Sequence, residues 1–244
     1  MSGMLAIYLR ELLILRKRFF RQLASMSVGP LLYLIAFGLG MGRDVRIGSH
    51  SYLEFLIPGL VAMNSMIQSF AIASEINIAR FYWHIFEEFQ AAPLRNIAYV
   101  TGEVLAGITR ALFSTAIILF IAFVSGITLS YNLYFWLAVV LNSFVFASLA
   151  VGLAMLVKSH SDQALLTNFF ITPMAFLGGT FFPVDRMPEW VREVLHFLPL
   201  THASKAIRAA AFGEPPELFP YILLGALGVV LFVLAYHWVN RARE

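Results

Sequence analysis

The sequence predicts an all-α polytopic membrane protein. Of the 244 residues, 60% are hydrophobic and only 13% charged. The mean hydropathy is +0.79. The apolar residues gather in uncharged runs of roughly twenty, the length a helix needs to cross hydrocarbon. A soluble domain runs nearer half apolar and about a quarter charged, and a transmembrane barrel would show alternating stretches of about ten residues.

The first element, residues 4–21, reads as a basic amphipathic helix. At about 100° per residue, Met4, Leu5, Tyr8, Leu9, Leu12, Leu13, Leu15, Phe19 and Phe20 cover one half of its surface. Arg10, Lys17, Arg18 and Arg21 lie opposite, and Ile7 and Ile14 fall on that polar side. Such a helix lies in the membrane surface or packs on a soluble partner. Charges follow rather than precede the apolar residues and no small-residue cleavage pattern comes after them, so no cleaved signal peptide is expected.

Six transmembrane helices follow, at about residues 22–41, 52–73, 104–127, 133–157, 163–181 and 218–239. Spans one to five and their loops occupy 22–181. Ahead of span six, residues 182–213 hold two short helices, 188–198 and 201–212. Pro188 suits a first helical turn. Val191, Val194, Leu195 and Leu198 make one apolar face, Pro199 breaks the first piece and Gly213 closes the second. Both are too short to cross and amphipathic enough to dip in and turn back, so they read as an outer re-entrant pair.

Orientation follows from Lys and Arg. With the N-terminus inside, ten of them face the cytoplasm and six the outer side, with Arg110 inside span three; both termini are therefore expected to be cytoplasmic. No repeat of 20–50 residues and no second domain is visible, so residues 1–244 read as one transmembrane domain.

Chemistry is sparse. Cys is absent, which excludes disulfides, thiolate metal sites and Cys nucleophiles. The net charge of +3 reflects topology rather than a nucleic-acid partner. His160 with Asp162, and His196 with His202, lack any HExxH motif, catalytic carboxylate pair or Gly-flanked Ser. No catalytic residue and no metal site is assigned. The alternative reading is a stand-alone membrane enzyme or scaffold.

Three groups of residues stand out. In the loop after span two, Phe81, Ile85 and Phe89 recur every fourth position among His84, Glu87 and Glu88, in a short amphipathic helix ended by Pro93. It either connects two spans, lies on the membrane, or fits a groove in a cytoplasmic protein. Within span two, Asn64, Ser65, Gln68 and Ser69 line a substrate pathway, hydrogen-bond across a dimer seam, or join helices of one subunit. In span three, Arg110 would cost about 2.5–3.5 kcal/mol at mid-bilayer, and Glu103 and Glu75 are its candidate partners. Six spans with so little extramembrane mass make a wall rather than a complete machine, which predicts a homodimer or a partner subunit.

In order and spacing these features resemble the permease subunits of the ABC-2 type export family, such as drug and lipooligosaccharide permeases. The resemblance runs over essentially the whole chain. It is carried by Glu87-Glu88 with Ala92-Pro93, by Gly102 and Arg110, and by Leu177-Gly-Gly-Thr-Phe-Phe-Pro183 through Leu198-Pro-Leu200. It implies the membrane-spanning subunit of an ATP-driven exporter, multi-pass in a bacterial-type cytoplasmic (inner) membrane. It also implies a homodimeric or heterodimeric channel, the homodimer being the simpler, served by two copies of an ABC ATP-binding subunit, which would hold the ATP and Mg. Phe86, Glu87, Glu88, Phe89 and Pro93 would then belong to the coupling helix, seated in the ATPase groove. Phe181, Phe182, Pro183, Val194 and Leu195 would belong to an outer gate. The chain itself has no G-x-x-x-x-G-K-[ST] phosphate loop, because Lys17, Lys158 and Lys205 all lack a Gly-rich context; no cofactor is expected in it. The aromatic, barely charged spans suit a lipid-like, amphipathic drug or lipid-linked glycan cargo.

Overall fold

The computed structural model describes residues 3–39, 45–83, 85 and 94–242. Helix α1 (Gly3–Lys17) ends at a break at Arg18, and α2 (Phe19–Tyr33) continues into a π-helical turn, Leu34–Leu39. Pro30 lies inside α2; without an N–H to donate, it leaves the ladder ahead of the wider winding. Phe19, Phe20 and Arg21 therefore start the first long helix instead of finishing the amphipathic one.

A two-residue hairpin, β1 (Arg46–Ile47) with β2 (His50–Ser51), precedes span two. Gly48 turns it at φ 65°. It is the one departure from an all-helical chain among the described residues. Ser51 then caps α3 (Tyr52–Phe70): its side chain accepts from Glu54 N, and the Glu54 carboxylate takes the Ser51 N–H. That reciprocal pair satisfies two end donors at once. Helix α4 (Ile72–Phe81) prolongs α3 after a slight break at Ala71.

Helix α5 (Asn96–Val124) is followed by α6 (Leu133–Leu156), capped by Asn132, whose side chain accepts from Phe135 N. Next come α7 (His160–Leu166), a π turn at Thr167–Ile171 and α8 (Thr172–Leu177) without interruption. Pro173, in the first turn of α8, accounts for that rearranged winding. Helices α9 (Glu189–His196), α10 (Pro199–Ala211) and α11 (Leu218–Arg241) complete the chain.

Five of these stretches are long and apolar enough to cross a membrane: Phe19–Gly38, Tyr52–Phe81, Asn96–Val124, Leu133–Leu156 and Leu218–Arg241. The second and third reach further into the expected polar stretch 74–103 than hydropathy suggests. Their polar residues are paired inside the fold, Glu75 with Arg110 and Asn77 with Gln163, so the helices continue where an unpaired side chain would have sought water.

The core centres on span two. Its most apolar window is 83% buried, against 28% for the last span and 11% for the first. Leu56, Ile57, Leu60, Val61 and Met66 are wholly enclosed by α5, α6 and α10. Glycines set the close approaches: a Cβ at Gly59 would fall 2.5 Å from Thr180 O, and one at Gly102 would fall 2.9 Å from Ile7.

Helix α1 uses two faces. Ile7 and Glu11 are buried on α5, whereas Leu5, Leu12 and Leu13 point away from the protein. Part of the broad apolar half that periodicity finds is thus turned outward, while its Tyr8 reaches α5. Ile7, which falls outside that half, belongs to a second face against span three.

Candidate functional site

At the hairpin end of the bundle, the turn Gly178–Pro183 is held by span two and α10. Gly179 adopts φ 79°, a conformation that favours a residue without Cβ. Ser204 donates its hydroxyl to Gly178 O at 2.6 Å and Tyr52 OH donates to Phe181 O at 2.9 Å. Arg208 donates from Nη2 to Gly179 O at 2.8 Å and from Nε to Phe55 O at 3.3 Å. One guanidinium thereby binds the turn and span two together, with carbonyls as its acceptors.

Phe181 is buried in this turn, its ring 5.0 Å from both Tyr33 and Phe37 of the first long helix and 5.5 Å from Phe176 of α8. Phe182 and Pro183 are half-buried beside it. On α9, Leu195 is buried at 2% exposure whereas Val194 stands out at 58%. The expected apolar face of this helix is therefore divided. Leu195 seats α9, and Trp190, Val194 and Phe197 form an outward stripe. Helix α10 is fixed at its far end, where Ala210 O accepts from Asn132 Nδ2 and Ala211 O from Ser130 N. His50 stacks on Phe212 at 3.8 Å with an interplanar angle of 4°.

The polar residues of span two take different roles. Asn142 of α6 donates from Nδ2 to Ala62 O at 3.0 Å and to Ser65 Oγ at 2.8 Å, tying spans two and four within the chain. Asn64 and Ser69 are buried and donate to carbonyls of their own helix, Leu60 O and Met66 O. Gln68 is half-buried, on a partly open stripe with Ile67, Ala71, Ser74, Glu75 and Ile78. The 3.6-residue period of the helix produces that stripe.

Toward the opposite end lies a charge cluster. Arg110 pairs with Glu75 at 3.4 Å. Tyr8 OH and Thr109 Oγ1 lie 3.0 Å apart, joining α1 to α5. Glu11 pairs with Arg10 at 3.0 Å. Burial against span three pushes the Glu11 carboxyl above its ordinary range, with the Arg10 guanidinium pulling the other way. Glu103 is 2% exposed, and its Oε2 has no hydrogen-bond partner among the described residues. Arg80 donates to Ala154 O, holding the end of α4 on α6. The expected coupling residues Phe86, Glu87, Glu88, Phe89 and Pro93 lie outside the described residues.

Among the described residues no group of three or more His, Asp and Glu side chains gathers as a metal site. Sequence reading missed Arg208, which it placed among outer-loop charges, and Asn142. The signal for Arg208 was a charge set within the small apolar run Ala206–Ala211, and for Asn142 the one amide side chain of its helix.

The profile of the ABC-2 type transporter family matches residues 3–212. The chain is 32% identical over 217 residues to Nodulation protein J of Rhizobium leguminosarum bv. trifolii, covering 86% of this chain and 82% of the relative. It is 30% identical over 252 residues to Nodulation protein J of Neorhizobium galegae, covering 99% and 93%. Against Inner membrane transport permease YadH of Escherichia coli (strain K12) the identity is 26% over 240 residues, covering 93% and 91%. With this match and its long apolar helices, the chain belongs to the ABC-2 type transporter family, as a multi-pass transmembrane subunit.

Proposed function

We propose that this subunit moves a lipid-like, amphipathic drug or lipid-linked glycan cargo outward across a bacterial cytoplasmic membrane, powered by a separate ATP-binding chain. The family match over residues 3–212 carries this reading. The name of the inner-membrane transport permease among its relatives supports the compartment.

In this reading the chain crosses six times. The stretch His160–Leu177 is the fifth crossing; at 1.5 Å per residue it reaches about 27 Å, close to the roughly 30 Å of hydrocarbon. An even number of crossings puts both termini on one side, and the Lys and Arg bias makes that side cytoplasmic. Helices α9 and α10 are the outer re-entrant pair.

Two copies of the chain form the pathway, bounded by spans one, two and five. Val28 and Leu32 of the first span, and Phe169, Phe170 and Phe176 of the fifth, are exposed large apolar side chains, and they supply the apolar surface such a dimer needs. The stripe through Gln68, Ala71 and Ser74 is the part of span two left open to the cargo. Residues 86–89 dock on the ATP-binding subunit, one on each copy, and that partner holds ATP and Mg. Closure of the two ATP-binding subunits moves each permease chain as a rigid body. Phe181, Phe182, Pro183, Val194 and Leu195 guard the outer end.

Affinity purification from native membranes tests the reading, followed by reconstitution into vesicles with fluorescent lipid probes. An ATP-binding protein at stoichiometric amount and ATP-dependent probe movement are expected. A chain that purifies without such a partner, from membranes where it is functional, overturns it.

A further inference from the structure

We propose that a crevice between spans one, two and three holds an acyl chain of a membrane phospholipid. The proposal needs only that these helices cross the bilayer, and it stands apart from the exporter reading. The crevice has a volume of 630 Å³, walled by Leu31, Leu34 and Ile35 on one side and by Leu53, Ile121 and Ile127 on the other. That volume falls within the roughly 300–1,000 Å³ of ligand pockets.

The crevice follows from how span one is attached. Phe19 meets Phe113 at 5.4 Å near one end. Gly38 presses on Leu53 near the other, where an added Cβ would fall 2.5 Å from Leu53 Cδ2. Tyr33 and Phe37 lean on Phe181. Leu31 and Ile35 are exposed along the crevice, and Leu34, itself buried, completes that wall.

Three hydroxyls line the crevice, and each is already engaged. Ser51 Oγ accepts from Glu54 N at 3.3 Å, Tyr52 OH donates to Phe181 O at 2.9 Å, and Ser125 Oγ donates to Ile121 O at 2.9 Å. Beyond these hydroxyls the wall side chains Leu31, Leu34, Ile35, Leu53, Ile121 and Ile127 are aliphatic, which suits an apolar guest. Ser51 stands just before span two and Ser125 just after span three, so the space runs from the hairpin-side interface into the hydrocarbon beside Leu31. At that depth the available apolar guest is an acyl chain. Its headgroup would sit at the level of Ser51 and Ser125.

Photolabelling of the full chain tests this, in vesicles of phosphatidylethanolamine and phosphatidylglycerol. The probe is a trace of phosphatidylethanolamine with a diazirine near the end of one acyl chain. Label mapped by peptide mass spectrometry should concentrate in residues 31–38 and 121–127, several-fold above the exposed face of span six at Val229 and Val230. Ser125→Trp, which fills the crevice from an exposed position, should reduce crevice labelling to that background. Phe120→Trp, at an exposed position of span three outside the crevice wall, should not. Ile35→Trp serves as a second filling variant if Ser125→Trp lowers the melting temperature. Labelling no higher than at Val229 and Val230, or unchanged in a well-folded filling variant, overturns the proposal.

Discussion

The guanidinium of Arg208 lies over the ring of Phe55, 3.8 Å from its centroid, and donates to the carbonyl of that same residue. Stacking and hydrogen bonding thus converge on one position of span two. Arg208 Nη2 donates to Gly179 O across the turn. Lys cannot reproduce this, because its ammonium is a point charge without a planar fork.

Arg208→Lys should therefore lower thermal stability in detergent, and Arg208→Met should lower it further. Each lost hydrogen bond from a charged group is worth about 1.5–3 kcal/mol. In reconstituted vesicles both variants should raise ATP-independent leak. An Arg208→Met protein that melts with the parent would show that the clamp contributes nothing.

Leu195 and Val194 are neighbours with opposite surroundings. Leu195→Asp should unseat α9, at a cost on the order of the 1.5–3 kcal/mol that burying a Leu contributes. Uncoupled ATPase turnover should rise while partner binding is retained. Val194→Asp should change stability much less, since that side chain already points outward. Equal effects at both positions would contradict the assignment of Leu195 as the seat.

Coupling is tested at Glu87 and Glu88. Reversing both to Lys should weaken binding of the ATP-binding subunit, because an interface charge left unpaired costs about 2–5 kcal/mol. The variant should insert and dimerise as the parent does. Undiminished transport and ATPase stimulation would rule out this segment as the docking element.

Topology is read by single cysteines, which the parent sequence leaves unambiguous. Asp185→Cys and Glu214→Cys should react with an impermeant maleimide in intact cells. Gln90→Cys and His160→Cys should react only after permeabilisation. Outside labelling of Gln90→Cys would overturn six crossings with cytoplasmic termini.

The long helices were legible because hydrophobic length is a one-dimensional property, readable without knowing any neighbour. Their ends were less so. Glu75 and Asn77 look like loop residues until Arg110 and Gln163 supply partners from other helices, and no local pattern encodes that pairing. The same holds for Ile7. Periodicity ranks residues by their own helix's majority face, whereas Ile7 is buried by Gly102 on another helix. The outer segment was visible as two short helices from Pro188, Pro199 and Gly213. Its clamp was not, since Arg208 earns its place only through the carbonyls of Phe55 and Gly179. In the fifth stretch, Pro173 marked an irregularity that hydropathy averaged away.

The fastening of α10 to the turn between α5 and α6 has a mechanical consequence. Asn132 both starts α6 and grips Ala210, and Ser130 holds Ala211, while Arg208 and Ser204 lock the other flank of α10 to span two and the glycine turn. A helix bolted along both flanks is door frame rather than door. Within one chain, the less fastened piece at this end of the bundle is α9, held by Leu195 and by the His202–His196 bond. In the proposed dimer, an aperture wider than α9 itself would open along the seam between the two chains.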